Sequence, residues 1–178
     1  MESRVPFGSE TELVLRKLSQ LIYVTDDIEK VLVTSTALVE SYVDDEIDHY
    51  LALREATSTT LERYLLRDYG GGFRTSWKER IRFLERGIEL GAVPSPLRQD
   101  VLLVVDARNA VVHGNGELTM QQVNKGINTL DMRRQLTGRL DAHFAGKRVY
   151  FSRETSRSAL GTLIDFCYWL DGSLPDPL

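Results

Sequence analysis

The run DARNAVVHGNGELT, residues 106–119, holds the side chains of this chain best suited to chemistry. Arg108, Asn109 and His113 follow one another at the end of a helical pattern, and Gly114 stands directly behind. On a helical wheel with Leu97 at zero, Val101, Val104, Val105, Val111 and Val112 fall within about 80° of the origin, and Arg108 falls at about 20°. An arginine directed at a core is strongly disfavoured unless its charge is paired and its donors are used. A buried carboxylate, a subunit boundary or an anionic ligand is therefore expected to receive it.

His113 follows about 140° further round and about 7.5 Å along the axis, so the two side chains are expected to flank a groove without touching. Placed in the last turn, the ring is favoured as imidazolium by the helix dipole. Gly114 is expected to take a left-handed conformation that ends the helix and leaves the ring accessible. Asn109, one turn before His113, suits orientation of the ring or contact with a phosphate oxygen.

One reaction fits such a set without a metal. RNA is cut when a base takes the 2′-OH proton and an acid protonates the departing 5′-oxygen, and histidine serves in either role near neutral pH. The phosphorane-like transition state needs a fixed cation, and guanidinium offers paired donors to its oxygens. Since one chain provides one such histidine, two subunits meeting at a twofold axis are expected to supply acid and base.

The elements that must hold these residues read as helices nearly throughout. Ser9 and Glu12 form a capping-box pattern before ELVLRKLSQLIYV, and Thr25-Asp26-Asp27 opens the long periodic stretch IEKVLVTSTALVESYVDDEIDHYLALRE. A shorter helix is expected around TTLERYLLRDY, ending at Gly70-Gly71-Gly72, and Ser76 caps SWKERIRFLERGIEL, which Gly91 ends. LRQDVLLVVDARNAVVH follows, then MQQVNKGINTLDMRRQLTGRLDAHF as one helix, and a last helix from about Glu154 to Leu170. KRVYFSRE is β-prone, but alone it is not expected to make a sheet. The pattern predicts an all-α helical bundle in one domain over 1–178, with a core at 9–170 and a frayed tail at 171–178. Repeats, low-complexity tracts and domain linkers are absent from the sequence.

Composition narrows the class. The chain has 178 residues, 42% hydrophobic and 27% charged, with net charge −4. That balance argues against indiscriminate nucleic-acid binding over the whole surface, yet seven basic residues against three acids lie between Asp131 and Arg157. Those bases are Arg133, Arg134, Arg139, Lys147, Arg148, Arg153 and Arg157, and the bland reading is a solvated helix face. With a single cysteine, Cys167, set among large apolar residues, the expectation is a core position in a reducing, cytoplasmic setting. Neither a membrane-spanning run nor a signal-peptide core is expected.

Arg108-Asn109-Ala110-Val111-Val112-His113 resembles the R-N-x-x-x-H motif of HEPN domains, all-α bundles with a four-helix core common among bacterial toxin, antiphage and RNA-processing ribonucleases. GNGELTMQQVNKGINTL resembles that family's turn and next helix, ALVESYVDDEI its first long helix, and SWKERIRFLERG the tryptophan-bearing segment of the RiboL-PSP-like branch. The resemblance spans most of residues 27–170 and implies that Arg108 and His113 are catalytic with Asn109 in support. It further implies a homodimer with a composite site that cuts single-stranded or looped RNA, leaving a 2′,3′-cyclic phosphate and a 5′-hydroxyl. A cognate inhibitor or defence-system protein is an implied partner. The family members silenced by nucleotidylation have a tyrosine two residues after the histidine, where this chain has Asn115.

Glu40 and Glu46 both lie on or beside the apolar stripe of the second helix, and either suits a pairing with Arg108. The resemblance favours Glu40, which matches the acid of the family's early helix. No cofactor or metal is expected: Asp45 and His49 are one turn apart but have no second cluster to join. Gly70-Gly71-Gly72 lacks the Gly-Lys-Ser/Thr of a phosphate loop. His49 and His143 read as surface residues, Trp77 and Phe83 as core. Two other functions compete with the ribonuclease, a catalytically inactive helical module binding RNA or protein and a DNA-binding regulator, for which no helix-turn-helix stands out.

Overall fold

A computed structural model describes residues 9–61, 72–124 and 129–174. Its elements are α1 (Ser9–Val24), α2 (Ile28–Thr57), a 3-10 turn (Gly72–Thr75), α3 (Trp77–Arg86), α4 (Ser95–Val112), α5 (Met120–Asn124), α6 (Thr129–Leu140), β1 (His143–Ala145), β2 (Arg148–Tyr150) and α7 (Arg153–Ser173). The described residues are thus mostly helical, with one small hairpin. The helix expected around TTLERYLLRDY lies mostly outside the described residues, as do Gly70 and Gly71. Among the described residues no helix is long and apolar enough to cross a membrane.

Helices α1, α2, α4 and α7 pack on one another, with α1 and α4 each lying against both α2 and α7. The shared core is built from Leu32, Val39, Val43 and Ile47 of α2, Val101, Val104 and Ala107 of α4, and Leu163, Phe166 and Leu170 of α7. Helix starts follow local chemistry. Asp27 accepts the Lys30 N–H at 3.0 Å, and Ser76 accepts that of Glu79 at 3.3 Å. Ser152 and Thr155 bond reciprocally at the start of α7.

Three boundaries depart from the sequence-based expectation. Helix α3 ends at Arg86, with Gly87 as its cap, because Ile88 and Val93 turn into the core instead of continuing the helix. Of the stretch expected as one helix from Met120 to Phe144, α5 and α6 are helical on either side of residues 125–128, which lie outside the described residues, but the helix ends at Leu140, and His143 and Phe144 form β1 instead. KRVYFSRE therefore does contribute to a sheet, since β1 pairs antiparallel with β2 in the register Phe144↔Val149. Gly146, at φ 59°, takes the first place of the two-residue loop, where a hairpin needs a positive φ. The third departure is α7, which runs three residues past Leu170, so Asp171 is structured rather than frayed. Asp171 accepts the Thr11 hydroxyl at 2.6 Å, and Thr11 in turn accepts from Tyr42 at 2.7 Å.

Among the described residues, the arginine most deeply enclosed is one the wheel did not single out. Arg80 of α3 is 4% exposed, and its Nε and Nη2 donate to the two oxygens of Asp44 at 2.7 and 2.9 Å. Its Nη2 also lies 3.0 Å from Glu40 Oε1, and its Cζ sits 6.0 Å from the centre of the Trp77 ring. A paired guanidinium of this kind is tolerable in a low dielectric, whereas removing one member leaves an uncompensated charge. Arg80→Ala is expected to lower unfolding free energy by about 3 kcal/mol in urea titration. A loss no larger than that of an exposed control such as Arg82→Ala would show the tie to be unimportant.

Acids gather where α1, α2 and α7 meet. Desolvation raises the Glu46 carboxyl above its ordinary value of 4.5, with Glu10, Asp171 and Asp45 adding to the shift and His49 opposing it. Burial likewise pushes the Tyr42 phenol upward and the Cys167 thiol up to about 12, consistent with a cysteine wholly inside the core. An acid whose pKa is raised on folding binds its proton more tightly in the native state. Its contribution is favourable below the unfolded pKa and is lost as pH rises through the folded one. Glu46→Gln should therefore raise the urea midpoint at pH 7 and leave it nearly unchanged toward pH 4. A difference that does not vary with pH would contradict this origin.

Candidate active site

Helix α4 presents two opposed faces. Val101, Leu103, Val104, Ala107 and Ala110 are buried against the bundle. Around the wheel from them, Leu102, Val105, Asp106, Asn109 and His113 line a cleft of about 540 Å³, closed by the first turn of α3 (Ser76, Trp77 and Lys78) and by Thr119, Met120, Gln122 and Met132. Arg108 lies at the seam between these faces, about 120° from the middle of the cleft-lining one. The central apolar position expected for it is thus corrected. Ala107 and Ala110, too small to mark a stripe by themselves, are fully enclosed and turn the helix so that Val112 faces solvent.

The guanidinium nonetheless reaches the cleft residues. Arg108 Nη1 donates to Asn109 Oδ1 at 3.0 Å and lies 3.4 Å from His113 Nε2. The groove expected between Arg108 and His113 is replaced by contact, since a long side chain at the seam can run C-terminally to the cap. Its Nε is buried with no hydrogen-bond partner. Among the described residues Arg108 has no carboxylate partner. For Nη1 to donate to Nε2, the ring must be neutral with its proton on Nδ1, which leaves the Nε2 lone pair directed at the guanidinium. His113 is exposed.

Glu40 is not part of this group: it stands half-buried beside Arg80. Glu46 belongs to the acidic end of α1, α2 and α7. The structure therefore joins Arg108, Asn109 and His113 and separates Glu40 from them. His49 and His143 are exposed, and no group of three metal-binding side chains forms among the described residues.

The turn behind His113 is held by backbone bonds of its own. Gly116 N–H bonds to Ala110 O and Glu117 N–H to Gly114 O, each at 2.9 Å. The left-handed residues are Asn115 (φ 51°) and Gly116 (φ 84°), the pair a type I′ turn requires. Gly114, expected to be the left-handed one, is instead needed for closeness, because a Cβ there falls 1.8 Å from Glu117 O. The hairpin clamps this turn: Val149 N–H donates to Gly116 O at 2.7 Å, and Glu117 bridges to Arg148.

On the far side, Thr119 and Gln122 form a capping box that starts α5. The Gln122 amide also donates to the backbone oxygen of Asp106 at 2.8 Å and to its Oδ1 at 3.1 Å, which fixes α5 against α4. Asp106, Gln122 and Lys78 were not singled out by the sequence. The spacing 102, 105, 106, 109, 113 was available as a second helical face, whereas nothing local marks Lys78.

Much of the basic run at 131–157 is paired within the chain. Arg139 pairs with Asp100, Arg134 with Asp131, Arg153 with Asp26 and Arg157 with Glu154. Arg133 donates to Gly146 O and lies over the Phe144 ring.

Gly114→Ala is expected to destabilise the protein by about 1–3 kcal/mol, because the added methyl displaces the Glu117 carbonyl. Thermal unfolding measures the loss, and an unchanged melting temperature would show that the turn relaxes freely. Compared with known proteins, the chain matches no family model, no curated protein and no solved structure.

Proposed function

We propose that this protein is a metal-independent endoribonuclease of the HEPN type that cuts single-stranded or looped RNA. The observation that carries the reading is the contact group Arg108–Asn109–His113 at the edge of the cleft, with a guanidinium that no carboxylate neutralises among the described residues. A half-buried cation left without an acid is poised for an anionic ligand. The exposed imidazole beside it is accessible to a substrate and to a second subunit.

In this reading the 2′-oxygen attacks phosphorus while His113 of one subunit takes its proton through Nε2. The P–O5′ bond breaks, and the imidazolium of the second subunit's His113 returns a proton to the leaving oxygen, so a 2′,3′-cyclic phosphate and a 5′-hydroxyl remain. Arg108 exchanges its contact with Nε2 for the non-bridging oxygens, which frees the base and stabilises the developing charge. Asn109 holds the guanidinium in place. Val112, 42% exposed beside the site, offers apolar contact to the second copy. The reading extends to a cytoplasmic toxin or antiviral effector restrained by an inhibitor protein.

The test is cleavage of a labelled single-stranded RNA by the purified dimer with chelator present. Wild type should yield cyclic-phosphate ends, and Arg108→Ala or His113→Ala should each reduce the rate by about a hundredfold or more. Cleavage at the wild-type rate by both variants overturns the assignment. RNA bound but uncut by wild type leaves a helical binding module.

A further inference from the structure

The cleft is larger than the histidine and arginine need. At about 540 Å³ it lies within the range of pockets that enclose small molecules. Leu102 and Val105 of α4 give it one apolar wall, and Met120 and Met132 add flexible thioethers from α5 and α6. Lys78 stands exposed in its lining with no ion-pair partner among the described residues. Asp106, held by Gln122, repels phosphate from its own part of the lining. The Asn109 amide nitrogen, whose oxygen is already engaged by Arg108, is a donor still to be used.

A slot with apolar sides, one cation at its margin and a donor next to His113 suits a planar ring joined to a phosphodiester. We infer that the cleft receives a single unpaired nucleotide of RNA. The base lies between α4 and the two methionines, Lys78 meets the phosphate next to it, and Asn109 turns the sugar-phosphate backbone toward His113. The direction of the backbone rests on the ribonuclease reading, whereas the base slot does not. A duplex cannot occupy the cleft, because its bases are paired and stacked away from a concave site. Contact through apolar faces and thioethers, rather than through base edges, makes the slot tolerant of base identity.

The experiment is fluorescence anisotropy of a fluorescein-labelled single-stranded RNA decamer with His113→Ala protein, so that binding is read apart from cutting. In that background Leu102→Trp, which fills the slot, should weaken binding by about tenfold or more. Lys78→Glu, a surface change that leaves the core intact, should weaken it severalfold and lower the salt dependence by about one phosphate contact, while Lys78→Arg restores both. An RNA duplex of the same sequence should compete poorly. Equal affinity of the His113→Ala protein with and without Lys78→Glu and Leu102→Trp, or equal competition by duplex, overturns the slot. If unaltered protein cuts RNA but these variants bind normally, the slot fails and the nuclease stands. If binding depends on the slot but unaltered protein does not cut, the slot stands and the nuclease fails. No binding at all overturns the slot.

Discussion

The buried charge tie from Arg80 to Asp44 and Glu40 is the constraint on which the arrangement rests. Helix α3 has only ten residues, too few to be stable alone, and its position is fixed by what its buried face meets. Arg80 anchors it to α2, and the same helix begins with Ser76, Trp77 and Lys78, which form part of the cleft. The Trp77 ring contacts both the guanidinium and Phe166, with a centroid 5.8 Å from that of the latter. Charge pairing in the bundle thus determines where a site boundary stands. The carboxylate expected to serve the site directly, Glu40, acts on it only through this helix.

Helix α4 accounts for most of the rest. It separates core from cleft by burying Val101, Leu103, Val104, Ala107 and Ala110 on one side and turning Leu102, Val105, Asp106, Asn109 and His113 to the other, with Arg108 at the boundary. A side chain at such a boundary keeps its aliphatic stem in the bundle and its charge where an anion can reach it. Desolvation of the Nε without a partner is the unfavourable part of this placement.

How much of this was legible depended on whether the signal was local. Asp27, Ser76 and the helical repeats announce themselves within a few residues, and those helices start where the pattern put them. Arg108, Asn109 and His113 were recognisable as a group because they share one turn and its cap. The pairing of Glu40 was not, since the choice between Arg80 and Arg108 is made by packing across forty and more positions. Nor was the hairpin: β1 was hidden as the end of a helical pattern, and a two-stranded ribbon needs its partner to exist at all. The wheel misplaced Arg108 for a simpler reason, which is that it weighed valines and ignored alanines. A small side chain lets a neighbouring helix approach closely, and close approach sets which face turns inward.

The bond from Val149 to Gly116 has a bearing on how the protein acquires its shape. The two residues stand 33 positions apart (149 − 116), and the chain between them includes α6 and β1. Closing a loop of that length is an entropic barrier that local helix formation does not share. α4 can wind early, but the turn that follows its terminal histidine is clamped only when the ribbon docks. That clamp therefore arrives after most of the helical content, and a nascent chain synthesised as far as the histidine still lacks the contact that steadies the turn behind it.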